Sequence, residues 1–140
     1  MSRPGSISVL CVDDNPHVTR ALESKLRRSG KFDWRGSLSS ADQLVETVAR
    51  ECPEIVLLDV DMPGMDPLAA LERLSRECPN TRTVVFSGHI RRELVERAVE
   101  SGAWGYVSKN DDEAELIRAI RSVAEGEFVL SVEARRVFGD

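Results

Sequence analysis

The stretch Ile55-Val56-Leu57-Leu58-Asp59 constrains this chain more than any other. Four apolar residues in a row, two of them β-branched, read as a strand buried on both faces. A strand buried on both faces needs a layer on either side. An acid stands where the apolar run stops, and Val60-Asp61-Met62-Pro63-Gly64 comes next. In an open α/β sheet, ligands sit at the carboxyl ends of the strands, which places Asp59 for chemistry. Asp is also common before Pro-Gly, so Asp59 alone reads equally as the start of a turn.

The rest of the chain supplies the layers. Ser6 to Val12 reads as a strand, with Asp13-Asp14-Asn15-Pro16 directly after it. Asp14 or Asn15 caps a helix that carries Pro16 in its first turn, with Val18, Ala21, Leu22 and Leu26 on one face and a stop near Gly30. Phe32 to Leu38 is a weaker strand interrupted by Gly36. A helix opens at Ser39-Ser40-Ala41-Asp42 and ends at Pro53. After the central strand, Asp66-Pro67 starts a helix with Leu68, Leu71 and Leu74 inward. Thr83 to Phe86 is a fourth strand, succeeded by Ser87-Gly88-His89 and a helix from Ile90 to Ser101. Trp104 to Val107 is a fifth strand, succeeded by Ser108-Lys109-Asn110. Asp111-Asp112-Glu113 places negative charge at the positive end of a last helix, which Gly126 ends. Five strands alternating with five helices predict a doubly wound parallel sheet. Arg50-Glu51-Cys52-Pro53 and Arg76-Glu77-Cys78-Pro79 read as two βα units solving the same stop problem. Residues 1–125 form the domain. Residues 126–140 read as a tail or the start of a linker.

Composition narrows the function. The 140 residues carry a formal net charge of -5, with 41% hydrophobic and 31% charged residues. That fits a folded single domain, and its acidic balance makes it a poor candidate for binding nucleic acid by itself, since phosphate contacts need a basic face. No apolar run approaches a membrane span, and Met1 to Ser6 does not read as a signal peptide. Cys11, Cys52 and Cys78 are an odd set without metal-like spacing. Cys11 reads as core, and a reduced, cytoplasmic protein is the expectation.

The residues that end the strands form one set: Asp13 and Asp14, Asp59, Ser87 and Lys109. Three carboxylates in one pocket repel, so without a counter-ion at least one pKa rises. Mg²⁺ suits an all-oxygen site of this kind, completed by waters and a phosphate oxygen. A lysine and a hydroxyl beside it complete a site for a phosphoryl group, which a carboxylate attacks at phosphorus. Alone, Asp13-Asp14 reads as a helix cap, Ser87 as a loop residue and Lys109 as a solvated charge. Each at the end of a different strand, they do not read that way together.

Val12-Asp13-Asp14-Asn15, Leu57-Leu58-Asp59-Val60-Asp61-Met62-Pro63-Gly64-Met65-Asp66, Val85-Phe86-Ser87-Gly88 and Gly102-Ala103-Trp104-Gly105-Tyr106-Val107-Ser108-Lys109 resemble, in order and spacing, the receiver domain of two-component response regulators. The resemblance runs from about Ile7 to Ala124. It implies a flavodoxin-like (βα)5 fold with strand order 2-1-3-4-5. It implies that Asp59 accepts a phosphoryl group from a sensor histidine kinase. It assigns Mg²⁺ to Asp14 and Asp59, assisted by Asp13 and by the backbone carbonyl of Asp61, and assigns the phosphate to Lys109. It makes Ser87 and Tyr106 a switch pair in which the hydroxyl moves toward the phosphate and the ring turns inward. Such a protein is not an enzyme beyond its own phosphorylation and dephosphorylation. Its expected partners are the kinase and, once phosphorylated, a second copy of itself.

The stretch around Trp104 and the tail Gly126-Glu127-Phe128-Val129-Leu130-Ser131 look most like the NarL/LuxR-type subgroup. That subgroup controls transcription through a helix-turn-helix domain, which this sequence does not contain. A receiver fragment and a stand-alone receiver both remain open, and the tail favours the fragment. Three positions depart from the family pattern: Pro67 for glycine, Gly88 for alanine, and Asn110 for the proline that often follows the lysine. A cis bond before Asn110 would cost roughly 3 kcal/mol without proline, and whether Lys109-Asn110 is cis is left open.

Asp59-Val60-Asp61 also looks like the acid pair of haloacid-dehalogenase-like phosphatases. In that family the paired acids come last, whereas Asp13-Asp14 come first here, and there is no cap insertion. A receiver that works without phosphorylation is a further alternative, against which the complete site counts. His17 and His89 lie near the site, but Mg²⁺ prefers oxygen and both read as solvated. Trp104 reads equally as core or partner surface. Arg91, Arg92, Arg118 and Arg121 read as solvated helix faces.

Overall fold

The structure is a computed structural model and describes residues 5–137; Met1 to Pro4 and Phe138 to Asp140 lie outside the described residues, and with them part of both the leader and the tail expectations. Five strands, β1 (Ile7–Val12), β2 (Phe32–Leu38), β3 (Ile55–Leu58), β4 (Arg82–Ser87) and β5 (Gly105–Ser108), alternate with α1 (Pro16–Ser29), α2 (Leu44–Glu51), α3 (Pro67–Glu77), α4 (Arg92–Glu100) and α5 (Glu113–Ala124). The expected five-strand sheet is corrected to six. Val129–Leu130 forms β6, parallel to β5, and α6 (Val132–Val137) comes after it. The sheet order is β2-β1-β3-β4-β5-β6, so the family order holds for the first five strands and β6 extends it at one end. The sixth strand escaped the sequence reading because two residues carry no period, and Phe128 beside them is half exposed.

The period-two pattern of the central strands sorts the core into two layers. Leu10, Val12, Val56 and Leu58 face one side with Leu44, Val48, Leu71, Leu74 and Val95 of α2, α3 and α4. Val9, Cys11, Ile55 and Leu57 face the other with Leu22, Leu26, Leu116 and Ile120 of α1 and α5. Each fully buried leucine or isoleucine contributes on the order of 1.5–3 kcal/mol, so the two faces together hold the strand ends rigid. Cys11 is a free thiol in the second layer, and burial pushes its pKa up to about 12.

Local chemistry explains the element ends. Asn15 caps α1, accepting from the His17 amide at 2.9 Å, and Asp66 caps α3 through the Leu68 amide at 3.0 Å. Helix α2 starts at Leu44, later than expected, with no side-chain cap from Gln43. Asp42, expected in its first turn, instead accepts from the Met65 amide at 3.0 Å and steadies the loop after β3. Cys52 and Cys78 close α2 and α3 alike, each amide donating back to the helix at 2.8 Å. The two connections are then joined where Thr81 Oγ1 donates to the Pro53 carbonyl at 2.6 Å. The Gly36 interruption is a bulge. Val9 pairs with Trp34 and Cys11 with Ser37, so β2 spends one more residue there than β1, and Gly36 takes φ 111°. Trp104 is partly buried against the α5 layer under the Arg82 guanidinium, 4.6 Å from its ring.

Candidate functional site

The parallel ladder itself assembles the site. Past the formal end of β3, the Asp59 amide donates to the Val12 carbonyl at 2.9 Å; past β5, the Lys109 amide donates to the Ser87 carbonyl at 2.8 Å. Asp13, Asp59, Ser87 and Lys109 therefore stand side by side at one edge of the sheet. Asp13 and Asp59 are buried, and Asp14 is exposed. One oxygen from each of Asp13, Asp14 and Asp59 lies within 4.8 Å of the others.

Lys109 reaches into this group. Its ammonium is 2.7 Å from Asp13 Oδ2 and 3.6 Å from Asp59 Oδ2. The other oxygens are held by backbone: Asp13 Oδ1 accepts from the Asn15 amide at 2.9 Å, and Asp59 Oδ1 from the Asp61 amide at 3.2 Å. Burial raises the Asp59 pKa; Lys109 and the Asp61 amide pull it back, and Asp13 and Asp14 push it further up. Three carboxylates against one ammonium leave two negative charges in an oxygen-only pocket. That charge and donor set fit a divalent cation of the Mg²⁺ class.

A second group lies beside the first. Ser87 is fully buried; its Oγ accepts from the His89 amide at 3.0 Å and lies 3.4 Å from the His89 carbonyl. The Tyr106 ring is also fully buried, and its hydroxyl donates to the same carbonyl at 2.8 Å. Burial pushes the Tyr106 hydroxyl up to about 12. Ser87 and Tyr106 thus converge on the backbone of His89, with the ring turned inward. The His89 imidazole has Nδ1 3.1 Å from Asp61 Oδ2 in a well-exposed pair. The Asp61 side chain thus pairs at the exposed rim, while its amide serves Asp59. His17 is exposed and not part of the acid group.

All the residues singled out at the strand ends fall within this site, and the Lys109-Asn110 bond is trans, since no cis bond occurs among the described residues. Sequence reasoning missed the His89 carbonyl, a backbone atom without a residue signature. It also missed Ser131 and Glu133, which bond to Ser108 beside Lys109 at 3.2 and 3.0 Å. Their signal was local, a serine two residues before a glutamate in a segment read as tail.

An all-parallel sheet with three acids and a lysine at its carboxyl edge defines a class. Residues 9–121 match the family described as the response regulator receiver domain. The chain belongs to that family. It is 35% identical over 124 residues to the probable transcriptional regulatory protein SgaR of Hyphomicrobium methylovorum, covering 89% of this chain and 59% of SgaR. It is 32% identical over 131 residues to the nitrate/nitrite response regulator protein NarL of Escherichia coli strain K12, covering 94% of this chain and 61% of NarL. Among solved structures, a LuxR-family two-component response regulator from Aurantimonas sp. SI85-9A1 superposes with a TM-score of 0.88 at 25% identity, covering 94% of each chain. The chain is a NarL/LuxR-like receiver and spans about three fifths of the length of these curated relatives. No helix among the described residues is long and apolar enough to cross a membrane.

Proposed function

We propose that the chain is a phosphorylation-driven switch in which Asp59 is the acceptor. The observation that carries this reading is the Lys109 ammonium held between Asp13 and Asp59, beside a third acid. A carboxylate oxygen of Asp59 attacks phosphorus of a phosphohistidine on a sensor histidine kinase. The P–O bond forms as the P–N bond breaks, and the imidazole leaves with the electron pair. Asp13, Asp14 and Asp59 would hold Mg²⁺, with the Asp61 backbone carbonyl completing the protein ligands. When bound, the cation would supply charge neutralisation to the transferred oxygens. Lys109 exchanges part of its contact with Asp13 for a phosphoryl oxygen. The Ser87 hydroxyl, released from His89, donates to another, and Tyr106 holds the loop by its inward ring.

The added charge of about one and a half to two units biases the Ser87–His89 loop and the α4 and α5 surfaces next to it. Phosphorylation would then favour a homodimer. By likeness to SgaR and NarL, named as a regulatory protein and a response regulator, the output is transcription. It would act through a helix-turn-helix segment reached through residues 126–140, of which Val129–Leu130 and Val132–Val137 also pack on the receiver as β6 and α6. The receiver would work in the cytoplasm beside the kinase and touch no DNA itself.

The test is mass spectrometry after incubation with Mg²⁺ and acetyl phosphate. The wild-type chain should gain one phosphoryl group, lost on mild alkaline hydrolysis, and Asp59→Asn should gain none. A wild-type chain that gains nothing, or an Asp59→Asn chain that gains as much, rejects this reading in favour of a receiver working without phosphorylation. Asp61→Asn should keep the phosphoryl gain; if it instead abolished a multiple-turnover phosphatase activity, the dehalogenase-like reading of Asp59 and Asp61 would stand.

A further inference from the structure

Lys109 is the only described residue that brings a positive charge into the acid group, and its chain neighbour Ser108 is tied to a segment well beyond α5. Ser108 is fully buried. Its amide donates to Ser131 Oγ at 3.2 Å, and its hydroxyl donates to Glu133 Oε2 at 3.0 Å. The same hydroxyl accepts from the Asn110 amide at 2.9 Å. Ser131 is itself anchored, its amide donating to the Tyr106 carbonyl at 3.0 Å, and Ala134 packs in the same core layer as Tyr106.

A serine hydroxyl has one proton to give and two lone pairs. When that proton is committed to a carboxylate, the bond is charge-assisted and the hydroxyl rotor is fixed. The lone pair then points at the Asn110 amide, and the turn that carries Lys109 is held on both flanks. On the other side, the Lys109 amide is held by Ser87. Without Glu133, the hydroxyl is free to rotate, the Asn110 bond loses its fixed acceptor, and the lysine turn gains freedom that phosphate binding must then remove.

We propose that Glu133 is a positioning residue for Lys109, acting through the Ser108 hydroxyl, so that the segment 129–137 is a working part of the phosphoryl site. This rests on the receiver reading above. It also makes the influence reciprocal: a phosphoryl group that draws Lys109 forward pulls on Ser108 and Glu133, and a shift of α6 alters the affinity of Lys109 for phosphate.

The test is beryllofluoride, a phosphoryl mimic, titrated in saturating Mg²⁺ and followed by amide NMR, with Mg²⁺ alone titrated separately. Glu133→Ala should raise the half-saturating beryllofluoride concentration about three- to tenfold, the range for loss of one fixed hydrogen bond. Mg²⁺ affinity should be unchanged, because Glu133 touches none of the three acids. Glu133→Gln keeps an acceptor and should restore most of the binding. Ser108→Ala should lose as much as Glu133→Ala, and the double variant no more than either. A Glu133→Ala chain that melts lower but binds beryllofluoride as wild type overturns the proposal. So does parallel loss of Mg²⁺ binding, or a Glu133→Gln chain as weak as Glu133→Ala. A wild-type chain that takes up no beryllofluoride is a different failure: it removes the receiver reading and this inference with it.

Discussion

Lys109 is bonded to Asp13 at 2.7 Å, across a separation of 96 residues, and stands farther from Asp59 at 3.6 Å. The lysine thus neutralises Asp13 and leaves Asp59, the proposed acceptor, less tightly engaged. Breaking this pair exposes the cost it offsets. Lys109→Met should destabilise the chain by about 2 kcal/mol in the absence of divalent cations, below the range for a fully buried pair because the lysine is partly solvated. Saturating Mg²⁺ should recover much of that loss. Urea denaturation with Mg²⁺ and with chelator reads both, and equal stability in the two conditions for the variant would contradict the account.

Asp59 gives a pH dependence of defined sign. Its pKa is raised in the folded chain from the ordinary value of 3.8, chiefly by burial. The fold therefore binds this proton more tightly than the unfolded chain does. The associated stability is fully present below the unfolded pKa and is lost as pH rises through the raised value. In chelator, Asp59→Asn should be more stable than wild type at pH 7, with the difference shrinking as pH falls toward the ordinary carboxylate range. Thermal melts across that range at matched ionic strength would show it. A difference that grows on acidification would mean that Asp59 is a net stabilising charge.

Tyr106 and Ser87 share one carbonyl. Tyr106→Phe removes the 2.8 Å bond to His89 and leaves that carbonyl to the 3.4 Å contact with Ser87. The cost should be about 1 kcal/mol, with faster amide exchange confined to the loop around His89. Exchange that accelerates across β5 as a whole would show the hydroxyl to be part of the global core instead.

Much of the fold was legible because its signals are redundant. The buried runs at Val9–Val12, Ile55–Leu58 and Val84–Val85 each carry the parallel-sheet pattern, and Asn15, Asp66 and Asp112 are capping residues where caps occur. The acid group was legible for a different reason: strand ends in a parallel sheet share an edge, so residues just past the end of each strand are neighbours in space. The features that stayed hidden have no side-chain code. The Ser87–Tyr106 meeting point is the carbonyl of His89. The role of Asp42 lies across 23 residues at the Met65 amide. The sixth strand is set by pairing with β5 rather than by its own pattern.

The sheet has two outer strands, and neither invites a neighbour. β6 is two residues long, and β2 is bent by the bulge at Gly36 and bears Asp33 and Arg35 along its length. Short, kinked and charged borders are how proteins resist adding a foreign strand. Among the described residues, neither border offers two copies a long, straight backbone ladder through which to join. The homodimer proposed above would then join through side chains on helices, a contact that forms and dissolves without unzipping the sheet.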